Sequence, residues 1–172
     1  KTRQTLLFSA TISSEIERVI GEFLKAPVRI SVKTGDTPKN IEQDIVKVAH
    51  GNDKLDVLAD LLIQKEFSKV LIFGRTKSGV EKLSKTLIQK GLKAESLHGD
   101  KNHSKRQNAL NMFRNNRIQI LVATDVAARG LDIADISHVI NYDLPATFND
   151  YIHRIGRTGR GDKPGKALTF IG

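Results

Sequence analysis

The feature that most constrains this chain is the alternation of short, unbroken apolar runs with stretches of helical spacing. Runs rich in Val, Ile and Leu at 70–73, 118–123, 139–141 and 167–171, with a further strand expected at 94–97, mostly lack the polar alternation of a strand with one wet face. Strands covered on both sides read this way, and they belong to parallel sheets. Around them Leu55, Leu58, Leu61 and Leu62, then Val80, Leu83, Leu87 and Ile88, then Ala109, Met112 and Phe113 keep the spacing of amphipathic helices. Strand and helix alternating from about Asn52 onward predict an α/β fold of βαβ units around a mainly parallel sheet.

Upstream the pattern differs. A strand is expected at 6–8, a helix over 13–25 and another strand at 28–32, after which Gly35, Asp36, Thr37 and Pro38 make a turn-rich break. Residues 41–49 then alternate like a half-exposed strand. With 172 residues, 39% apolar and 27% charged, the chain is long enough to bury a core. It contains no Cys, which excludes disulfide frameworks, thiolate metal sites and cysteine nucleophiles, and a reducing, cytoplasmic setting is expected. No apolar run approaches the ~18 residues needed to span a bilayer, so no membrane partner is expected.

Twenty-eight Lys and Arg against nineteen Asp and Glu give a formal net charge of +9. A basic surplus favours polyanions, but its placement decides more than its size. Residues 98–117 hold Lys101, Lys105, Arg106, Arg114 and Arg117 against Asp100 alone, and residues 151–166 hold Arg154, Arg157, Arg160, Lys163 and Lys166 against Asp162 alone. Charge concentrated in two windows suggests a polyanion contact.

The second window contains His153-Arg154-Ile155-Gly156-Arg157-Thr158-Gly159-Arg160, following a short helix expected from Thr147. Three arginines recur every third residue with two glycines among them, which a regular helix tolerates poorly, so a tight turn projecting guanidinium groups is expected. A guanidinium keeps its charge and grips phosphate oxygens in a bidentate fork. Standing alone, such a run reads as a basic, glycine-rich surface loop. A second run, from Val122 to Asp132, leaves a buried strand and enters a loop, where open α/β sheets bind ligands. Thr124 sits at that strand's carboxyl end, where a hydroxyl and free backbone N–H groups can meet a phosphate. Gly130 permits close backbone approach, and Asp132 can accept from a sugar hydroxyl. Equally, Thr124 and Asp125 can cap a helix and Asp132 can pair with an arginine.

Ser9-Ala10-Thr11, the 124–132 run and the 153–160 run resemble, in order, motifs of DEAD-box RNA helicases. Leu71-Ile72-Phe73 with Thr76, and His98-Gly99-Asp100, also fall at the family's positions, so the likeness covers essentially the whole chain. The resemblance implies a RecA-like three-layer α/β/α domain over 41–172, with 35–40 as linker and 1–34 as the C-terminal remnant of a first RecA-like domain. It implies Arg157 and Arg160 as arginine fingers toward the γ-phosphate of an ATP that, with Mg2+, is held mainly by that first domain. Asp132 and Gly130 would meet the same ATP, and His153 would couple the arginine loop to Ser9 and Thr11. Thr76, Gly99, Arg106 and Thr124 would contact consecutive RNA phosphates, giving sequence-independent binding. One departure is His103, three positions before Arg106, where the family commonly has Gln; as an ordinary residue it would be solvated at a helix start. Arg75, Lys77 and Lys101 are expected to be general electrostatic contributors or simply exposed.

A complete ATPase of this kind needs a Gly-x-x-x-x-Gly-Lys-Ser/Thr loop and an acidic strand end for magnesium. The only Gly-Lys pair is Gly165-Lys166, but Ala167 follows it and Arg160 stands where the first glycine belongs. No two acidic residues are adjacent, so no Asp-Glu-Ala-Asp box is present. The expectation is the second half of an ATP-dependent RNA helicase, inactive by itself and binding RNA weakly and salt-sensitively. A DNA helicase of the same superfamily and a non-enzymatic RNA-binding module are the alternatives.

Overall fold

The computed structural model describes residues 3–9, 12, 14–30, 40–131, 133–161 and 163–172. The chain divides into two compact units, Lys1–Thr34 and Gly35–Gly172. Thr11, Asp132 and residues 31–39, which include the expected linker break, lie outside the described residues.

The second unit is a six-stranded sheet, every adjacent pair parallel. Along the chain run β1 (Ile41–Lys47), α2 (Lys54–Leu62), β2 (Val70–Phe73), α3 (Lys77–Gln89), β3 (Ala94–Leu97) and α4 (His103–Arg114), with α1 (Ser14–Phe23) in the first unit. They are followed by β4 (Ile120–Ala123), α5 (Asp125–Ala128), β5 (His138–Asn141), α6 (Phe148–Ile155) and β6 (Gly165–Ile171). The strand order is β1-β6-β5-β2-β4-β3.

Three layers follow from the pleat, because successive residues of a strand point to opposite faces. Val70, Ile72, Ile120, Val122 and Ile140 pack with Leu58 and Leu62 of α2 and Val80, Leu83 and Leu87 of α3. Their neighbours Leu71, Phe73, Leu121, Ala123 and Val139 pack on the other face with Ala109, Leu110 and Phe113 of α4 and with α5. A smaller cluster of Ile41, Ile155 and Ala167 ties α6 to the edge strand β1 and its neighbour β6. Each fully buried Leu, Ile or Phe contributes about 1.5–3 kcal/mol. The unbroken apolar spelling of the strands is the record of this two-sided cover. The helix caps also follow from side chains: Asp53 Oδ1 accepts from Leu55 N at 2.8 Å, and Asn102 Oδ1 from Lys105 N at 2.9 Å.

The first unit departs from expectation. Its helix forms over Ser14–Phe23, and Glu17 pairs with Arg29 through two bonds of 2.7 and 2.8 Å. The strands expected at 6–8 and 28–32 do not form in their described residues, where no ladder is present. Phe8 is 90% exposed, Val28 90% and Ile30 86%. An apolar spelling makes a strand only when a neighbour supplies the hydrogen bonds and a layer to pack on, and among the described residues neither is present for these segments. Among the described residues no helix is long and apolar enough to cross a membrane.

His138 begins the central strand β5 and is buried, its ring stacked on Phe67 at 4.1 Å between centroids. Burial pushes its pKa below the ordinary histidine value. The unfolded chain therefore takes up this proton at a higher pH than the folded one, so stability is complete above about pH 6.5 and is lost as pH falls below it. Urea titrations are expected to show a lower unfolding free energy at about pH 5 than at about pH 7.5. His138→Phe should make that difference smaller; an unchanged difference would remove His138 as its source.

Candidate functional site

The loops that leave the carboxyl ends of a parallel sheet lie along one rim, and nearly every residue singled out from the sequence falls there. Phe73, Ala123 and Leu97 are level across β2, β4 and β3, as the registers Phe73↔Ala123 and Leu97↔Ala123 show. Thr76, Thr124 and Gly99 follow those residues by a few positions, on adjacent strands spaced about 4.8 Å apart. Thr76 caps α3, its Oγ1 accepting from Gly79 N at 3.0 Å and lying 3.5 Å from Ser78 Oγ. Gly99 lies beside Lys77, whose ammonium pairs with Asp100 at 2.6 Å. Arg106 stands one turn into α4, half-exposed, with no side-chain hydrogen bond or ion pair among the described residues. His103 is the first residue of α4 and is exposed.

Thr124 differs in detail from its expectation. Its own N–H is taken by the Leu97 carbonyl at 3.2 Å, its side chain makes no cap hydrogen bond, and the residue is 8% exposed. The free donors at this point are the first N–H groups of α5, as at any helix start. Lys101 also differs: its ammonium is mostly covered and bonds Glu95 at 2.6 Å, with Glu81 at 4.0 Å. Glu81 accepts from Ser96 Oγ at 2.5 Å and contacts His98 Nε2 at 3.2 Å. The Ser96 and His98 hydrogen bonds, then Lys85 and Lys101, hold the Glu81 carboxyl at a pKa of about 2 against the opposing effect of burial. Glu81 thus stays ionised and pins the end of β3 just before Gly99. In this arrangement His98 Nδ1 is buried without a hydrogen-bond partner among the described residues.

The arginine run separates into two roles. Arg154 does not project from a turn: it lies in the last turn of α6 and is 2% exposed. Its Nε and Nη2 donate to the two Asp125 oxygens at 2.6 and 2.8 Å, and Nη1 donates to Asn141 Oδ1 at 3.2 Å and to the Asp143 carbonyl at 2.6 Å. The guanidinium also lies 5.1 Å from the Phe73 ring centre, a cation–π contact. The helix ends at Gly156, and only beyond it does the expected turn begin, carrying Arg157 and Arg160. Asp125, read from the sequence as a helix cap, is instead the ion-pair partner of Arg154.

Arg157 Nη1 and Arg160 Nη2 both reach the Leu131 carbonyl, at 3.0 and 3.4 Å. The residue before it, Gly130, has φ +71°, a left-handed turn that favours glycine. The turn itself is held from behind, for Thr158 is buried and its hydroxyl donates to the Ile136 carbonyl. A cleft of about 540 Å³ is bordered by Arg157, Arg160 and Lys163 with Asp135, whose carboxyl the Lys163 ammonium holds below its usual pKa. A narrower pocket joins Arg157 to His153, Asp125, Arg129 and Asp150. His153 is therefore brought beside Arg157. Ser9 is exposed in an extended segment of the first unit.

An all-parallel α/β/α sheet with two guanidiniums converging at its carboxyl rim defines a helicase-type RecA-like domain, and residues 53–162 match the helicase conserved C-terminal domain. The chain is 48% identical over 170 residues to the ATP-dependent RNA helicase CshA of Listeria monocytogenes serovar 1/2a, covering 98% of this chain and 32% of that protein. Among solved structures it resembles the E. coli DEAD-box protein SrmB bound to regulator of ribonuclease activity A, with 38% identity and TM-score 0.72, covering 77% of this chain and 78% of that one. It also resembles S. cerevisiae Dbp5 bound to RNA and ADP BeF3, with 33% identity and TM-score 0.82, covering 95% of this chain and 44% of that one. The chain belongs to the DEAD-box RNA helicase family, whose C-terminal RecA-like domain it carries. It spans about a third of the length of the curated relatives it matches.

Removing one partner of a buried, bidentate ion pair leaves the other charge desolvated, which costs about 3–5 kcal/mol. Arg154→Ala is expected to lower the unfolding free energy by about that amount. Arg154→Lys should recover little of it, since an ammonium cannot reproduce the fork. Urea titration at neutral pH measures both, and a loss under about 1 kcal/mol for Arg154→Ala would show that the pair contributes little to the fold.

Proposed function

We propose that the protein containing this chain couples ATP hydrolysis to the opening of short RNA duplexes, and that this chain supplies its RNA-gripping, arginine-finger side. On this reading residues 1–34 end the first RecA-like domain, 35–40 form the linker and 41–172 are the second domain. ATP and Mg2+ are held mainly by the first domain of the same protein. Asp132 and Gly130 receive the ATP ribose, and Arg157 and Arg160 neutralise charge on the transferring phosphate. His153, beside Arg157, relays between the arginine turn and Ser9 and Thr11 when the domains close. Thr76, Gly99, Arg106 and Thr124 hold consecutive RNA phosphates, which positions a strand without reading its bases.

The observation that carries the reading is the convergence of Arg157 and Arg160 on one carbonyl beside Gly130. Two fixed guanidiniums at a left-handed glycine turn fit a polyphosphate, and the sequence supplies no nucleotide loop or acidic box for them to serve within this chain. Hydrolysis is therefore a property of the two domains together, and this chain alone is expected to show none. Cysteine-free composition accords with a cytoplasmic setting.

In the complete protein, Arg157→Ala or Arg160→Ala is expected to reduce hydrolysis by about 10³-fold or more while leaving most RNA affinity. Equal loss of both would make these residues RNA ligands and not fingers. For Arg106→Ala and Thr124→Ala the expectation reverses: RNA affinity should fall, and for Arg106→Ala the plot of log Kd against log salt should become shallower by about 0.7 for the lost charged phosphate contact. An unchanged slope for Arg106→Ala removes it from the phosphate contacts.

A further inference from the structure

Arg160 stands between two glycines in left-handed conformation, Gly159 at φ +64° and Gly161 at φ +63°. Such a pair sets the direction of the arginine yet resists torsion little, since glycine moves freely through this region. Something outside the turn must hold both sides, and one residue does so. Asn40 Nδ2 donates to the Gly161 carbonyl at 3.1 Å, and the Asn40 carbonyl accepts from Gly165 N at 2.9 Å. On the other side of Arg160, a Cβ added to Gly159 would lie 3.1 Å from the Asn40 carbonyl oxygen and 2.5 Å from Ile41 Cγ1. Gly159 therefore packs with no room to spare against Asn40 and the buried Ile41.

The seat of Asn40 is itself firm. Ile41 opens β1 opposite Gly165 in β6 and packs with Ile155 and Ala167, so the chain at Asn40 is fixed to the edge of the sheet. Tyr151 of α6 adds a second tie to β1, donating to Gln43 Oε1 at 2.7 Å. We propose that Asn40 is a positioning residue for ATP hydrolysis: it clamps the backbone on both sides of Arg160 and so aims the guanidinium, while touching neither nucleotide nor RNA. This rests on the reading of Arg160 as an arginine finger. Where the linker ends and the second domain begins, the chain thus enters through the part of the domain that aims the finger.

The test is steady-state and single-turnover ATP hydrolysis by the complete protein at saturating RNA. Asn40→Ala removes the amide, and Asn40→Asp keeps its shape while replacing the donor by a carboxylate beside the Gly161 carbonyl. A misplacement of about 1 Å costs up to ~10²-fold, so both variants are expected to lose about tenfold or more in kcat. RNA Kd should stay within about twofold and Tm within about 3 °C of the parent. In an Arg160→Ala background, Asn40→Ala should lower the residual single-turnover rate by less than about twofold, because the group it aims is gone.

A kcat within about twofold of the parent for either Asn40 variant, with Arg160→Ala inactive, overturns the positioning role and leaves the finger standing. Full effects of Asn40→Ala in the Arg160→Ala background overturn it too, as do parallel losses of Tm and RNA affinity, both of which would mark general damage. An active Arg160→Ala protein would instead overturn the finger reading on which the inference rests.

Discussion

Arg154 is the interaction on which the arrangement of the site depends. A guanidinium that is 2% exposed must find hydrogen-bonded, charged company or destabilise the fold by several kcal/mol. Its acceptors come from three places at once: Asp125 at the start of α5, Asn141 at the end of β5 and the carbonyl of Asp143 just beyond. It occupies the crevice between β2 and β5, whose onward connections lead to opposite edges of the sheet. Open α/β folds place ligands at such a point. Here the protein fills the crevice with its own cation, and the guanidiniums proposed to face a ligand are those one and two steps farther along, beyond Gly156.

The opposite end of the rim is held by a different device with the same logic. Glu81 of α3 stays ionised to a pKa of about 2 because Ser96, His98, Lys85 and Lys101 all favour its charge. Ser96 belongs to β3, His98 follows its end and Lys101 lies just past Gly99. A carboxylate satisfied by all of these fixes the strand end from which Gly99 and Asp100 project. Two buried or half-buried ionic networks, one on each side of the rim, therefore hold the backbone while the candidate ligand-facing side chains Thr76, Arg106, Arg157 and Arg160 remain on the outside.

Much of the fold was legible because two-sided burial writes itself into sequence. The run at 70–73 is the strand β2 residue for residue, and helical spacing marked α2, α3 and α4; the edge strand β3 also spans 94–97, although its Ala-Glu-Ser-Leu spelling is half polar. The described residues of the segments at 6–8 and 28–32 carry similar spelling but form no ladder, since a strand is a relation between segments and among the described residues these have no partner. The three-residue spacing of Arg154, Arg157 and Arg160 concealed a change of structure at Gly156, so one regular pattern covers a buried helical arginine and two turn arginines. Asp125 gave no local sign that its partner would be Arg154, 29 residues away. The roles of Glu81 and Asn40 were equally hidden. Each acts across the fold, on Ser96 and on Gly161, and nothing in their immediate neighbours marks them.

These contacts also make the path between the two proposed ligand surfaces short and stiff. Thr124, at the candidate RNA rim, is covalently followed by Asp125; Asp125 is locked to Arg154 through two short hydrogen bonds; and Arg154 precedes Arg157 by three residues. A displacement of Thr124 by a phosphate must therefore carry Asp125 with it, and Asp125 cannot move without either dragging α6 or breaking a buried ion pair at a cost of about 3–5 kcal/mol. The first costs less. Adjacency alone does not establish coupling between sites, since that requires an element with two states. A stiff link has the complementary property: it makes the placement of the arginine turn and of Thr124 one variable, so whatever fixes one fixes the other. In the composite ATP site proposed above this is the useful arrangement, because the guanidiniums proposed as fingers would reach their correct distance only when the rim proposed to hold phosphates is also in register.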